Sequence, residues 1–175
     1  MKKIITLFAV TGMFILQGCT IENDPDAVDN DTIAEVFQLN NASFNFNLED
    51  GFNIYQELNP VLFDEDVILI YRKIGVINAT NAPIWQLIPR TINLENGREL
   101  VYDFDFSIEH FIIYVKGNYD ERLTPQYLNN QTFRIVIVPG SKSGSARFRS
   151  KNDFSDYNAV IKKYNIDDKN VKFLN

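Results

Sequence analysis

The chain has 175 residues, 45% of them hydrophobic and 13% aromatic, which is enough apolar material for one domain with its own core and excludes a disordered chain. With 23 acidic against 17 basic residues the formal net charge is −6, which argues against nucleic acid as a partner, because phosphate binding needs clustered Lys and Arg. A single cysteine and a single histidine exclude an internal disulfide and the common zinc and copper sites.

In chain order, the first element reads as an export leader. Met1-Lys2-Lys3 is a positively charged start, and "IITLFAVTGMFIL" is an apolar run from Ile4 to Leu16. That run is shorter than the roughly 20 residues of a permanent membrane helix and fits the apolar region of a secretory signal. Leu16-Gln17-Gly18-Cys19 resembles a bacterial lipobox, in which the cysteine thiol takes a diacylglycerol and the bond before it is cut. Gly18 supplies the small residue beside the scissile bond, Leu16 the aliphatic one, and Gln17 departs from the usual pattern. Residues 1–18 are therefore expected to be a lipoprotein signal peptide, with Cys19 the site of lipid attachment. Acyl chains contribute about 0.8 kcal/mol per buried methylene, so two or three of them hold a protein on a membrane without a spanning helix.

Residues 19–35 are expected to be an acidic, extended tether. Between Thr20 and Glu35 stand Glu22, Asp24, Asp26, Asp29, Asp31 and Glu35, with no base among them. Asp24, Asp26 and Glu35 have the outer spacing of a calcium loop, but Val28 replaces a ligand and Asp29 the turn glycine. Thr20 follows the cysteine where an aspartate would signal inner-membrane retention. The acids beyond it loosely resemble a surface-export signal, so an outer-membrane location is expected, on the cell surface or the periplasmic face.

The remainder, 36–175, alternates apolar and polar residues with the period of a strand. "SFNFNL" (43–48) puts Phe44, Phe46 and Leu48 on one face, and "EDG" turns it into "FNIYQEL" (52–58). "DVILIYRKI" (66–74) follows, then "IWQLIPRTINL" (84–94), where Pro89 marks an edge or bulge. Asn96-Gly97 turns the chain into "ELVYDFDFSI" (99–108), and "HFIIYVKG" (110–117) and "TFRIVIVPG" (132–140) complete the strands. The last is apolar on both faces, which means a strand covered on both sides or a protein interface. "TPQYLNN" (124–130) allows a turn of helix. Phe154, Tyr157, Val160, Ile161 and Tyr164 fall on one helical face, predicting a short C-terminal α-helix over about 154–165 with Ser155 as its cap. The expected fold is all-β: an antiparallel β-sandwich of immunoglobulin-like or Greek-key type with that helix packed across it.

"DVILIYRKI", "IWQLIPRTINLENGRELVYDFDFS", "NQTFRIVIVPG" and "DYNAVIKKYNI" together resemble a family of small, uncharacterised Bacteroidota lipoproteins. The resemblance covers roughly Ile33 to Ile166. It implies a lipid-anchored β-domain and transfers no catalytic residue.

The chemistry-bearing residues point away from catalysis. Asp103, Asp105 and Glu109 share the strand face opposite Leu100, Tyr102, Phe104, Phe106 and Ile108, the position of solvated acids. Asp64-Glu65-Asp66 is a loop cluster without ligand spacing. His110 has no accompanying Gly-x-Ser-x-Gly elbow, and no Gly-x-Gly-x-x-Gly or P-loop pattern is present. No catalytic residue, metal or cofactor is expected. Two binding features remain. A glycine- and serine-rich basic stretch, 140–153, carries Lys142, Arg147, Phe148, Arg149 and Lys151 and is suited to an anionic partner. Trp85, Tyr71, Tyr114, Tyr119 and Tyr127 are candidates for a sugar-stacking row. The expected function is thus a non-catalytic, membrane-anchored envelope module. It is structural or interacting, with carbohydrate or other ligand binding as the alternative and an envelope protein or glycan as partner.

Overall fold

The computed structural model describes residues 34–140, 154–169 and 171–174. Their elements are β1 (Glu35–Ala42), β2 (Asn45–Asn47), β3 (Gly51–Glu57), β4 (Val67–Val76), β5 (Pro83–Leu87), β6 (Arg90–Asn93), β7 (Glu99–Phe106), β8 (His110–Gly117), β9 (Gln131–Val138), α1 (Tyr157–Lys163) and β10 (Lys172–Leu174). They form an antiparallel β-sandwich. One sheet has the order β10-β1-β9-β4-β5 and the other β2-β3-β8-β7-β6, and only the β1–β10 pair is parallel.

Strand alternation explains how the two sheets close on each other. Ile68 and Ile70 of β4, Phe133 and Ile135 of β9, Leu100 and Tyr102 of β7, and Phe111 and Ile113 of β8 all point inward and are fully buried. Phe44 packs at the centre, its ring 5.9 Å from that of Tyr102 and 6.1 Å from that of Phe133. Arg72, next inward on β4 after Ile70, ends this core with a charge. Its guanidinium lies 4.5 Å from the Tyr102 ring centroid and its Nε donates to Gln131 Oε1 at 2.8 Å.

A third layer covers the first sheet. Leu69 and Tyr71 of β4, with Val136 and Val138 of β9, face the other way and bury against Tyr157 and Val160 of α1 and against Ile166. The doubly apolar β9 is therefore a central strand, with the opposite sheet on one side and the helix on the other. Asp156 caps α1 by accepting from Ala159 N at 3.2 Å, so the cap is one residue later than Ser155 and the helix shorter than 154–165.

Other boundaries shift for identifiable reasons. The tether's last residue, Glu35, opens β1, and that strand divides its apolar residues between two faces: Phe37 and Leu39 face the sandwich and Val36 the helix layer. Of the face assigned to 43–48, only Phe44 is core. Phe46 is 50% and Leu48 97% exposed, because β2 is a three-residue edge strand and Asn47 Oδ1 caps the turn by accepting from Glu49 N and Asp50 N. The stretch 84–94 is two strands in different sheets. β5 pairs with β4 and β6 with β7, and the cis Ile88–Pro89 peptide lies where the chain crosses between them. Ile88 itself is buried in the sandwich core.

Gly140, after β9, is held by close approach. A Cβ there would overlap Glu65 Cβ and its carbonyl oxygen, so the backbone of 140 lies flat against the loop before β4.

Candidate functional site

The two outer faces of the sandwich differ. On the first sheet, α1 is fastened by Arg134 of β9. Its Nε donates to Gln38 Oε1 at 3.0 Å, and its terminal nitrogen donates to the Tyr157 hydroxyl and, at 3.1 Å, to Asp168 Oδ2. The guanidinium also lies 4.7 Å from the Trp85 ring centroid and 5.2 Å from that of Tyr157. Burial, partly offset by Arg134, pushes the Tyr157 phenol up to about 12. Nearby, the Tyr71 hydroxyl donates to the Phe154 carbonyl at 2.7 Å. This face is spent on holding the fold.

On the second sheet the outer face is open, and among the described residues nothing comparable covers it. Cross-strand register fixes what it presents. Tyr55 of β3 pairs with Ile112 of β8, which pairs with Asp105 of β7; Asn53, itself buried, Tyr114 and Asp103 form the next row, and Lys116 and Val101 the one after. Tyr55 is 53% exposed, and its ring centroid is 5.1 Å from that of His110 at an interplanar angle of 30°. His110 is positioned by Ser107, whose Oγ lies 3.1 Å from the imidazole Nδ1. Tyr114 is raised above the ordinary phenol range, first by burial and then by its hydrogen bond to Asp105. Beside it lies a shallow depression of about 450 Å³, lined by Glu99, Val101, Asp103, Tyr114, Lys116, Gly117 and Asn118. The face thus joins aromatic and aliphatic surface to carboxylates on β7, with Glu57 at the end of β3.

A second concavity, of about 370 Å³, opens at one end of the sandwich. Its walls are Phe37, Ile137 and Leu174 of the first sheet and the segment 58–63 that follows β3. Asp66 fixes that segment by accepting from Phe63 N at 3.1 Å and from Gly140 N at 3.4 Å.

The residues singled out in the sequence are dispersed. Trp85 and Tyr71 belong to the helix-covered face, Tyr114 to the open face, and Tyr119 and Tyr127 pack on the sandwich core, so the five do not form one row. Asp103 and Asp105 are exposed on the face opposite the core, as alternation requires. Leu16, Gln17, Gly18, Cys19, Arg147 and Arg149 lie outside the described residues. Tyr55 was not legible as a site residue, since "FNIYQEL" gives no sign of which sheet face stays uncovered. Arg134 and Asp168, far apart in the chain, likewise gave no signal of pairing. Among the described residues no group of three or more His, Cys, Asp or Glu is gathered as a metal site, and no helix is long and apolar enough to cross a membrane. Comparison with protein-family models, with curated proteins and with solved structures finds no match to this chain.

Proposed function

We propose that this protein is a lipid-anchored interaction module of the bacterial cell envelope, which engages its partner through the open face of the β3-β8-β7 sheet and carries out no reaction. The observation that carries the reading is the asymmetry of the sandwich. Among the described residues the first sheet is covered by α1, whereas the second leaves Tyr55 exposed, with Ile112 and Tyr114 half-buried beside the exposed Asp103 and Asp105. Isolated exposed apolar residues are ordinary, but a contiguous row bordered by charges is the composition of a recognition surface.

The N-terminal sequence supports the anchor. A basic start, an apolar run and Leu16-Gln17-Gly18-Cys19 precede the acidic segment that would separate the domain from an outer-membrane surface. Globomycin treatment or Cys19→Ala should abolish processing and release the protein from the membrane fraction. Unchanged processing and partitioning would sink the anchor.

The binding role is tested with envelope fractions of the producing cells. Tyr55→Ala combined with Asp103→Asn should reduce retention of the soluble chain about tenfold or more, the size expected for an aromatic anchor with a flanking charge. Lys162→Ala, on the exposed side of α1, should leave retention unchanged. The glycan alternative rests on the exposed Tyr55 ring beside His110, since an exposed ring near carboxylates suits a pyranose face. A glycan array with the same variants separates it from a protein partner.

A further inference from the structure

We infer that the overhanging end of the β4–β5 hairpin is a docking surface for an anionic lipid bilayer. β4 pairs with β9 only as far as Arg72, whereas its pairing with β5 continues through Lys73↔Trp85 and Gly75↔Ile84 to Val76↔Pro83. Beyond Arg72 the hairpin is thus a two-stranded ribbon without β9 beside it. The ribbon and its turn leave Ile74, Val76, Ile77 and Ile84 between 39% and 49% exposed, together with the exposed Pro83. Ile77 N closes the turn by donating to the Ala82 carbonyl at 2.8 Å, and Asn78, Thr80 and Asn81 within it are polar but uncharged.

Charge decides what this apolar surface fits. From Val67 to Leu94 the sequence has no Asp or Glu, in a chain with 23 acids and a net charge of −6. The cations of that stretch are Arg72, Lys73 and Arg90. Arg72 is committed to Gln131 and the Tyr102 ring, but Lys73 is exposed at the root of the ribbon and makes no ion pair among the described residues. The opposite end of the sheet differs. Val61 and Phe63 are exposed there too, but they adjoin Asp64, Glu65 and Asp66 just before β4 begins. An anionic surface repels that end and accepts the acid-free one. Exposed aliphatic side chains beside a lysine suit the boundary between headgroups and acyl chains. Four aliphatic residues are too few for a stable protein interface, which takes about 20–30 residues a side. For a chain already held by acyl groups a weak contact is sufficient, a step that rests on the proposed anchor. β4 is about 30 Å long, and the segment 19–34 has a covalent reach of up to about 50 Å, so this end of the sheet can meet the same membrane.

The test uses residues 19–175 with Cys19→Ala, which leaves no other cysteine, so one introduced cysteine can carry an environment-sensitive fluorophore. Labelled at Ile77→Cys, the protein is titrated with vesicles of phosphatidylcholine and phosphatidylglycerol in equal parts. A saturable blue shift is expected, half-complete at lipid concentrations on the order of 1 mM, weaker than the roughly 0.1 mM of a single myristoyl chain. The same label at Val61→Cys should give none. Vesicles of phosphatidylcholine alone, or Lys73→Glu, should weaken the response about fivefold or more, the scale of one cation near a charged membrane. Ile84→Ser, which removes apolar area and leaves charge, should weaken it by a similar factor. No shift at 77, equal shifts at 77 and 61, or indifference to Lys73→Glu would each overturn the proposal. So would a shift at 77 that follows protein concentration without vesicles, the signature of a second copy as the occupant. The tested chain carries no acyl group, so its failure and that of the Cys19 anchor are separate results. Tyr55→Ala with Asp103→Asn should leave the vesicle response unchanged, which separates it from the open-face reading.

Discussion

Arg134 and Asp168 are 34 residues apart in the chain and 3.1 Å apart in space, and this contact closes the helix layer onto the sandwich. Arg134 is the more buried partner, so its charge depends on Asp168, Gln38 and the Trp85 ring for compensation. Asp168 retains contact with water. Replacing Arg134 by Met should cost about 2 kcal/mol, because it removes the hydrogen bonds and the ring contact together. Asp168→Asn should cost about 1 kcal/mol or less, since a partly exposed pair is screened. Chemical denaturation of both single variants and the double variant should give a non-additive cycle, with Trp85 fluorescence reporting the loosened helix.

The Tyr157 phenol, raised to about 12 by burial, makes the fold sensitive to alkali. A phenol with a higher pKa folded than unfolded holds its proton more tightly in the native state. Its contribution is therefore complete below the unfolded value of about 10 and is lost as pH rises from there to about 12. Tyr102, which donates to the Tyr127 carbonyl at 2.6 Å, is shifted in the same direction by burial. Stability followed by circular dichroism should be insensitive to these two phenols below pH about 10 and should fall above it. Tyr157→Phe should make that fall shallower without removing it, because Tyr102 remains.

Two glycines separate close approach from empty space. Gly140→Ala should destabilise the protein by about 1–3 kcal/mol, since the new methyl would meet the Glu65 backbone, which cannot turn away as a side chain can. Gly75→Ala, at the irregular register of β4 and β5, meets nothing within 4 Å and should change stability by no more than about 0.5 kcal/mol. Thermal unfolding of the pair checks both values.

Strand alternation makes most of the sandwich legible in the sequence. "ELVYDFDF" and "HFIIYVKG" place their core and solvent faces as expected, and the two apolar faces of "TFRIVIV" anticipated a strand covered twice. The exceptions follow from tertiary context. β1 was hidden because Val36 faces one layer while Phe37 and Leu39 face another, which leaves no simple alternation. β10 is three residues long and exists by pairing with β1. Pro89 was readable as an interruption but not as the crossing between sheets. The open face escaped notice because Tyr55 and Tyr114 differ from Tyr71 and Tyr157 only in what packs above them. That is decided by where α1 lands, and no local pattern encodes it.

The central claim is that the open face of the second sheet meets the partner while the helix-covered face does not. Site-specific photocrosslinking in intact cells tests it most directly, with the crosslinker at Tyr55 in one strain and at Lys162 on α1 in another. The account predicts a discrete, reproducible adduct from position 55 and none from position 162. Adducts from 162 alone, or none from 55 at native expression, would contradict it.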